Sequence, residues 1–456
     1  MKKFFCNLAI IASLLLGASA TEAKPIENNV IVPGEVWNDT DGNPINAHGG
    51  GILYHNGKYY WYGEYKKGKT VLPDWATWEC YRTDVTGVSC YSSPDMVNWT
   101  FEGIVLPAEE DASSDLHPSK VLERPKVIYN TKTGKFVMWA HVESADYSKA
   151  AAGVAVSDSP TGPFKYLGSF RPNNAMSRDQ TLFVDDDGRA YQLYSSENNA
   201  TLYISERPSG RFTRNFIGAS REAPAVFKHD GKYYMLSSGC TGWDPNQAEL
   251  AVADSIMGQW KVLGNPCTGT DADKTFYAQS TYVQPVYGKK DLYVAMFDRW
   301  NKTDLENSRY VWLPLSMENG KITIPWKEQW SMNDYADQPR FEAGDGTFLL
   351  NGEPFVVKAA ELHYPRIPKP YWDQRIKMCK ALGMNAVCLY VFWNSHEPKP
   401  DQFDFTGQND LREFVKLCEQ NDMKVIRMRR MGNGRSSLVA SEEERHTPSR
   451  IRSLFP

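Results

Sequence analysis

One pattern of hydrophobic and polar positions repeats five times between residues 50 and 298: an apolar segment, a turn that contains glycine, and a second segment rich in aromatic residues. The five segments read GGILYHNGKYYWYGEY, PKVIYNTKTGKFVMWAHV, TLFVDDDGRAYQLYSS, PAVFKHDGKYYMLSSG and TYVQPVYGKKDLYVAMFD. Their turn glycines are Gly57, Gly134, Gly188, Gly231 and Gly288. Asn-Gly and Asp-Gly turns between alternating strands are typical of β-hairpins, because glycine tolerates positive φ. The pattern therefore predicts five hairpins.

No helical periodicity separates these hairpins, and a hairpin of the same form that recurs five times indicates a repeat architecture. We expect residues 24–332 to form an all-β five-bladed β-propeller, in which each hairpin begins one blade. The alternative is a β-sandwich with a coincidental likeness among its hairpins.

The repeats also bring polar residues into register. Nine positions before four of the turn glycines stand His48, Asp179, Glu222 and Gln279, and eleven positions before Gly134, whose turn is longer, stands Glu123. Each would begin the first strand of its blade, and the first strands of a propeller surround the central channel. We expect these five side chains to meet at one end of that channel.

Three carboxylates in one place are electrostatically costly unless one keeps its proton, and such an arrangement separates an acid from a base. Glycoside hydrolysis uses a pair of this kind. The plainer interpretation of any single member is a polar residue at a strand end that is bonded to nearby backbone.

After a polar connection from Trp326 to Arg340, the pattern changes to strand, helix, strand, helix and strand. This order is that of an α/β barrel at its beginning, so residues 341–426 are predicted to be an incomplete α/β (TIM-barrel) fragment. A small doubly wound domain is the alternative. Residues 427–456 then lose any amphipathic period, and we expect an aberrant, disordered tail.

The amino-terminal residues predict where in or outside the cell the protein is located. Residues 1–23 combine MKK, the apolar LAIIASLLLG and small residues before the expected cut, which is the layout of a signal peptide. We expect an exported protein, periplasmic or extracellular, without a membrane span. Cys80 with Cys90, and Cys240 with Cys267, could pair in an oxidising compartment, and buried free thiols are an equal alternative.

Charge and composition narrow the partners. The net charge of −4 offers no basic face for nucleic acid, whereas the high aromatic content suits carbohydrate, since aromatic rings stack on sugar faces. We expect a polysaccharide or oligosaccharide substrate and no cofactor or catalytic metal. A structural calcium ion in the channel is left open.

The propeller region resembles glycoside hydrolase family 43, and its motifs INAHGGGILYHNGKYYWYGEYK, LERPKVIYN, SRDQTLFVDDDG, REAPAVF and YAQSTYV are most similar to the exo-β-1,3-galactanase branch. The resemblance implies that Glu222 is the general acid, that Asp179 orients it and tunes its pKa, and that Glu123 binds sugar near the reacting carbon. Most members of the family have an Asp that acts as the catalytic base at the position where this chain has His48. The resemblance therefore also implies that Gln279 positions or activates water. Implied sugar contacts are His48, Glu64, Asn198, Asn199 and Thr241.

The implied function is exo-acting release of galactose from β-1,3-linked galactan with inversion. A non-catalytic galactan-binding propeller and another family 43 activity, arabinofuranosidase or xylosidase, are the alternatives.

The second region, through ELHYPRIP, MCKALGMNAVCLYVFWNSHEP and FDFTGQNDLREF, resembles the start of the glycoside hydrolase family 35 β-galactosidase barrel. The resemblance ends at Ile426, and the residues that follow are consistent with a lost reading frame near Arg427. The fragment would then lack both catalytic carboxylates of that family.

Overall fold

The computed structural model describes residues 28–206, 211–318, 320–343, 346–399, 402–430 and 436–440. The predicted signal peptide, residues 1–23, and most of the predicted tail lie outside these ranges. Among the described residues, no helix is long and apolar enough to cross a bilayer.

Antiparallel sheets fill the first part of the chain, each formed by strands that follow one another in sequence. The first sheet contains β1 (His48–His55), β2 (Lys58–Glu64), β3 (Gly87–Ser93) and β4 (Thr100–Pro107). The second contains β5 (Val121–Asn130), β6 (Lys135–Glu143), β7 (Ala151–Ser157) and β8 (Lys165–Phe170). The third contains β9 (Gln180–Val184), β10 (Ala190–Ser196), β11 (Thr201–Ser205) and β12 (Phe212–Asn215).

Two further sheets continue the series. The fourth contains β13 (Arg221–His229), β14 (Lys232–Gly239), β15 (Glu249–Ala253) and β16 (Lys261–Gly264). After β17 (Cys267–Thr268), the fifth contains β18 (Gln279–Pro285), β19 (Tyr293–Arg299) and β20 (Arg309–Pro314). β21 (Ser316–Glu318) pairs with β22 (Lys321–Pro325), which also pairs in parallel with β17.

The first strand of each sheet contacts the first strand of the next, and β18 returns to contact β1. The arrangement is propeller-like. All five predicted turn glycines join the first two strands of a sheet, with φ between 67° and 83°, so the hairpin prediction is confirmed.

The two ends of this part of the chain meet beside the fifth sheet. Ile31 and Trp330 exchange backbone hydrogen bonds of 2.8 and 3.0 Å, and the Gly34 N–H donates to the Tyr310 carbonyl at 2.7 Å. The amino-terminal segment thereby lies against β20, which is the last strand of the fifth sheet in the chain.

A second unit follows. The hairpin strands β23 (Phe341–Ala343), β24 (Phe348–Leu350) and β25 (Glu353–Phe355) precede a sheet of β26 (Ala359–Glu361), β27 (Ala386–Tyr390), β28 (Lys424–Arg430) and β29 (Ser436–Ala440). The helices are α1 (Trp372–Ala381), α2 (Trp393–His396) and α3 (Leu411–Gln420). β26, β27 and β28 are parallel, as the sequence predicts, and β29 is antiparallel to β28.

This second unit has a core of its own, in which Tyr364, Trp372, Ile376, Leu389 and Phe414 are completely buried. β28 runs four residues past the predicted boundary at 426, and β29 also falls within the predicted tail. The other residues of that tail lie outside the described part of the chain.

Short 3-10 helices connect several strands, at Pro172–Asn174, Ala272–Tyr277, Leu305–Asn307, Met332–Asp334, Tyr364–Arg366, Lys369–Tyr371 and Gly407–Asn409.

Tryptophan dominates the core between the first and fifth sheets. Trp312 is 1% exposed, and its ring centroid lies 4.5 Å from that of Trp61, 5.0 Å from that of Trp37 and 6.0 Å from that of Trp99. Indole rings bury a large apolar area each, so this cluster fixes the first and fifth sheets against each other.

We expect Trp312→Ala to lower the free energy of unfolding of the full chain by about 3–5 kcal/mol, because it leaves a cavity among three other indoles. Urea denaturation followed by fluorescence measures the change. Ile217→Ala is the control, since Ile217 is 65% exposed and its truncation should shift stability by no more than about 0.5 kcal/mol. Equal losses in both variants would contradict the assignment of Trp312 to a packed core.

Candidate active site

A cavity of about 310 Å³ opens where the first strands of the sheets begin. Its wall carries acidic, basic, amide, thiol and aromatic side chains. They include Glu64, Glu123, Asp179, Glu222, Lys66, Arg124, His141, Arg178, Asn199, Gln279, Cys240, Trp78, Tyr147, Trp243 and Trp300. Four of the five residues predicted from the repeat register, all except His48, are among them.

The register that the sequence predicts has a structural cause. His48 and Gln279 are the first residues of β1 and β18, Glu123 and Glu222 lie near the starts of β5 and β13, and Asp179 directly precedes β9. Since these strands are adjacent, their starts lie at the same end of the channel.

A β-bulge follows the functional position in three of these strands. The pairing register shifts directly after His48, Glu123 and Glu222. In each case the next residue has positive φ: 59° at Gly49, 54° at Arg124 and 53° at Ala223. Bulges redirect neighbouring side chains, and strained backbone of this kind is concentrated at functional sites.

The bulge residue also donates its N–H to a carboxylate of the preceding sheet. Gly49 donates to Asp298 at 2.9 Å, Arg124 donates to Glu64 at 2.9 Å, and Ala223 donates to Asp179 at 3.2 Å. The sequence does not reveal this arrangement, because the donor and the acceptor lie far apart along the chain.

Glu222 is the proton-holding carboxyl of the cavity. Burial and the neighbouring charge of Asp179 raise its pKa to about 8, against the opposing effect of Arg124. Gln279 Nε2 donates to Glu222 Oε1 at 3.0 Å, and Asn199 Nδ2 lies 3.4 Å from Oε2. The Glu222 side chain is therefore held in place and keeps its proton at neutral pH.

Asp179 is paired with a buried guanidinium. Arg124 Nη2 lies 3.1 Å from Asp179 Oδ2, and Nη1 donates to the Ser280 carbonyl at 2.9 Å. Arg124 is 5% exposed. The sequence does not reveal the role of Arg124, although it directly follows Glu123 in LERPKV, because an isolated arginine gives no periodic signal.

Gln279 has all its hydrogen-bonding capacity in use. Its Oε1 accepts from Arg124 Nη2 at 2.5 Å and from Trp300 Nε1 at 3.1 Å, and its Nε2 donates to Glu222 and to Ser238 Oγ, each at 3.0 Å. The donors on one side and the acceptors on the other fix the orientation of the amide.

Glu123 has a lowered pKa, whereas the pKa of Glu222 is raised. Burial alone would raise the pKa of Glu123, but His141, Lys66 and Tyr147 together lower it to about 2. His141 Nδ1 lies 3.1 Å from Glu123 Oε2, and the Tyr147 hydroxyl donates to Oε1 at 2.9 Å. Glu123 therefore remains ionised at every pH at which the protein is expected to work.

His141 lies between two carboxylates. Its Nε2 is 3.3 Å from Glu143 Oε1, and although burial opposes the charge, the contacts with Glu123 and Glu143 raise its pKa to about 9. Glu64 is neutralised differently, by Lys66 Nζ at 2.6 Å from Oε2.

One group of side chains has the spacing of metal ligands. A ligand atom from each of Glu123, His141 and Asp179 lies within 4.8 Å of the others. The imidazole would first have to lose the proton that two carboxylates stabilise, and Asp179 already pairs with Arg124. These residues fit an ion-pair network better than a divalent cation.

Three predicted sugar contacts do not line the cavity. His48 is completely buried, with Nδ1 3.2 Å from Asp298 Oδ1 and its ring stacked on Tyr310. The Thr241 hydroxyl donates to the Asp244 carbonyl within its own loop. Asn198, in the turn after β10, is also absent from the cavity wall, whereas its neighbour Asn199 is present.

Cys240 reaches the cavity where Thr241 was expected. Its thiol contacts Glu222, and Sγ lies 3.8 Å from the Asn199 carbonyl. Burial and the nearby Glu222 carboxyl raise the pKa of this thiol. Cys80, Cys90, Cys240 and Cys267 are all free, so neither of the possible disulfides forms.

The rim of the cavity is built by three loops that meet, one of which, the loop after β19, carries Lys302. Trp243, in the loop after β14, donates Nε1 to the Glu79 carbonyl of the loop between β2 and β3 at 2.6 Å. Lys302 Nζ lies 2.7 Å from Glu79 Oε2 and 3.9 Å from Asp244 Oδ1. The contacts connect the loops and make the site a pocket.

A proton-holding carboxyl and an ionised carboxylate in one pocket of a propeller-like fold define a glycoside hydrolase type of site. The model of "Glycosyl hydrolases family 43" matches residues 52–294, and the chain belongs to this family. A second model, "Glycosyl hydrolases family 35", matches residues 347–433.

Solved structures of the same family are similar to the first part of the chain. A family 43 β-1,3-galactosidase, solved with galactodeoxynojirimycin, is 43% identical with a TM-score of 0.62, and the match covers 66% of this chain and 100% of that one. The Phanerochaete chrysosporium exo-β-1,3-galactanase with galactose is 36% identical with a TM-score of 0.60, covering 68% and 71%. The Clostridium thermocellum exo-β-1,3-galactanase is 36% identical with a TM-score of 0.59, covering 69% and 70%.

Curated relatives match the second part. A β-galactosidase of Xanthomonas manihotis is 41% identical over 88 residues, which is 19% of this chain and 15% of the relative. A mouse β-galactosidase is 42% identical over 79 residues, which is 17% of this chain and 12% of the relative. The chain thus spans a small fraction of the β-galactosidases that it matches.

The raised pKa of Glu222 makes stability depend on pH. Its folded value of about 8 exceeds the ordinary 4.5, so the folded state binds more protons between these two values. Wild-type stability should therefore fall as the pH rises through this window, by at most about 1.4 kcal/mol per pH unit. The Glu222→Gln variant has no titrating group at this position. The difference between its free energy of unfolding and that of the wild type should therefore change in favour of the variant from pH 4.5 to pH 8 and then stay constant.

Urea unfolding of both proteins at half-unit pH steps measures this difference. A constant difference across the window would show that Glu222 has an ordinary pKa.

Proposed function

We propose that the chain is an exo-acting glycoside hydrolase that releases galactose from β-1,3-linked galactan with inversion. The observation that carries the proposal is the pairing of a protonated Glu222 with an ionised Glu123 in one pocket. Similarity to a β-1,3-galactosidase and to exo-β-1,3-galactanases supports the linkage and the sugar. Closure of the rim by the contacts of Glu79 supports exo action, because a pocket admits a chain end.

Glu222 acts as the general acid and gives its proton to the oxygen of the leaving sugar. Asp179 orients the acid through the Ala223 N–H, the residue next to Glu222 in the chain. Its charge also contributes to holding the proton on Glu222. Glu123, permanently ionised, binds sugar hydroxyls near the reacting carbon and stabilises positive charge that develops there.

The attack of water on the sugar proceeds without a carboxylate base on the first sheet. The first sheet supplies His48 at the corresponding position, and this side chain is buried against Asp298. Gln279 positions the attacking water, and because both the amide oxygen and the amide N–H groups already have partners, the water takes the place of one of the Nε2 contacts, with Glu222 or Ser238. A neutral amide is a weak base, and the gain comes from holding water in line with the bond that breaks.

The same missing carboxylate favours a second candidate, a non-catalytic galactan-binding propeller. Another family 43 activity on arabinofuranosides or xylosides is the third. Incubation of the full chain with β-1,3-galactan, arabinan and xylan, followed by sugar analysis, separates them: galactose release supports our proposal, and binding without release supports the second candidate.

Three further proposals concern the whole chain. The first unit is a five-bladed β-propeller, which the contacts of β18 with β1 support. The second unit corresponds to the first strands of an α/β barrel, which the match to family 35 and the parallel pairing of β26, β27 and β28 support. The protein is exported, which the composition of residues 1–23 supports.

Glu222→Gln should reduce turnover of β-1,3-galactan by about 10²–10⁴-fold, because the amide is nearly isosteric but cannot donate the proton. Aryl galactosides with good leaving groups need less protonation, so their rates should fall much less. Initial rates on both substrates provide the measurement. If both substrates are slowed equally, or if neither is slowed while Glu123→Gln abolishes activity, Glu222 is not the general acid.

The product should appear first as the α-anomer of galactose. Inversion at the anomeric carbon of a β-linked sugar gives this result when water attacks directly. Proton NMR during the first minutes, before the anomers equilibrate, detects it. β-galactose as the first product would require a covalent intermediate and would refute the role given to Gln279.

A further inference from the structure

Trp78 stands at the edge of the cavity with a large part of its ring open. The side chain is 48% exposed and lines the cavity wall, although indole is among the most apolar side chains. Exposed apolar surface beside a polar pocket marks a ligand-binding surface.

The indole has a defined position relative to the catalytic groups. Its ring meets the ring of Tyr147 edge to face, with centroids 5.2 Å apart and an angle of 73° between the planes. Tyr147 in turn donates its hydroxyl to Glu123. Trp78 is thus two contacts away from an ionised carboxylate, on the same wall and closer to solvent.

The loop that carries Trp78 is held by the opposite wall. Its next residue, Glu79, accepts from Trp243 through the backbone and pairs with Lys302 through the side chain. Trp78 therefore belongs to a loop that is fixed at both sides of the mouth.

The polar groups of the floor and the aromatic edge suit different parts of a sugar chain. Carboxylates, guanidinium and amide can hydrogen-bond to the hydroxyls of the sugar that is cleaved, whereas an indole that is 48% exposed suits the C–H face of a pyranose, since the ring face is electron-rich. A galactan whose terminal sugar lies beside Glu222 must extend out of the pocket past the rim.

We propose that Trp78 is the platform for the galactosyl unit on the leaving-group side of the scissile bond and gives the site its preference for oligosaccharide over free galactose. The inference rests on the proposed function, because it presupposes that the site takes β-1,3-linked galactose. It adds a binding residue outside the part of the pocket that holds the cleaved sugar.

The test compares two tryptophans of one loop. Trp75 is 47% exposed, almost the same as Trp78, but it does not line the cavity, so Trp75→Ala is a matched control for Trp78→Ala. Both changes are made in the full chain that carries Glu222→Gln, so that bound oligosaccharide is not cleaved. Calorimetry then gives the dissociation constants of β-1,3-galactobiose and of galactose.

Trp78→Ala should weaken galactobiose binding by about three- to tenfold and change galactose binding by less than about twofold. Trp78→Phe should retain most of the affinity for galactobiose, because a smaller ring still stacks. Trp75→Ala should leave both constants unchanged. In the active chain, Trp78→Ala should raise KM for β-1,3-galactotriose more than it lowers kcat.

Three results would overturn the inference: unchanged galactobiose binding in Trp78→Ala, an equal loss for galactose and galactobiose, or the same loss in Trp75→Ala. A different result would overturn the proposed hydrolase function alone: the wild-type chain releases no galactose, while Trp78→Ala still weakens the binding of galactobiose and not that of galactose. If the chain with Glu222→Gln binds no galactobiose at all, both proposals fall.

Discussion

The site depends on a contact that recurs between neighbouring sheets, in which a bulged first strand points one backbone N–H at a carboxylate of the sheet before it. Gly49 with Asp298, Arg124 with Glu64, and Ala223 with Asp179 are the three examples. Each requires positive φ at the donor, a conformation that costs free energy for Arg124 and Ala223. The contact serves two purposes, since it joins adjacent sheets at the mouth of the channel and holds a carboxylate there.

Buried carboxylates must be neutralised, and the way each is neutralised decides its chemistry. Glu123 faces a protonated His141, Glu64 faces Lys66, and Asp179 faces Arg124. Glu222 instead has its pKa raised by burial and by the charge of Asp179, and the hydrogen bond from Gln279 opposes this rise only in part. The cavity thereby separates one acid from carboxylates that are each paired with a cationic side chain.

The second unit contributes nothing to this cavity among the described residues. It packs its own core around Tyr364, Trp372 and Phe414, and its parallel strands β26, β27 and β28 carry the short match to family 35. Three parallel strands have few neighbours to cover them, yet α1 and α3 bury the apolar residues of β27. The second unit thus has a hydrophobic core of its own.

The sequence by itself determined the five hairpins, their turn glycines and the shared register of Glu123, Asp179, Glu222 and Gln279, because hydrophobic alternation and positive-φ turns are local properties of the chain. It also determined the order of strands and helices in the second unit. Only the tertiary structure decided that Arg124 and His141 neutralise the carboxylates, that His48 is buried against Asp298, and that the Cys240 thiol contacts Glu222. Those outcomes depend on bulges and on contacts between residues far apart in sequence, which no local pattern encodes.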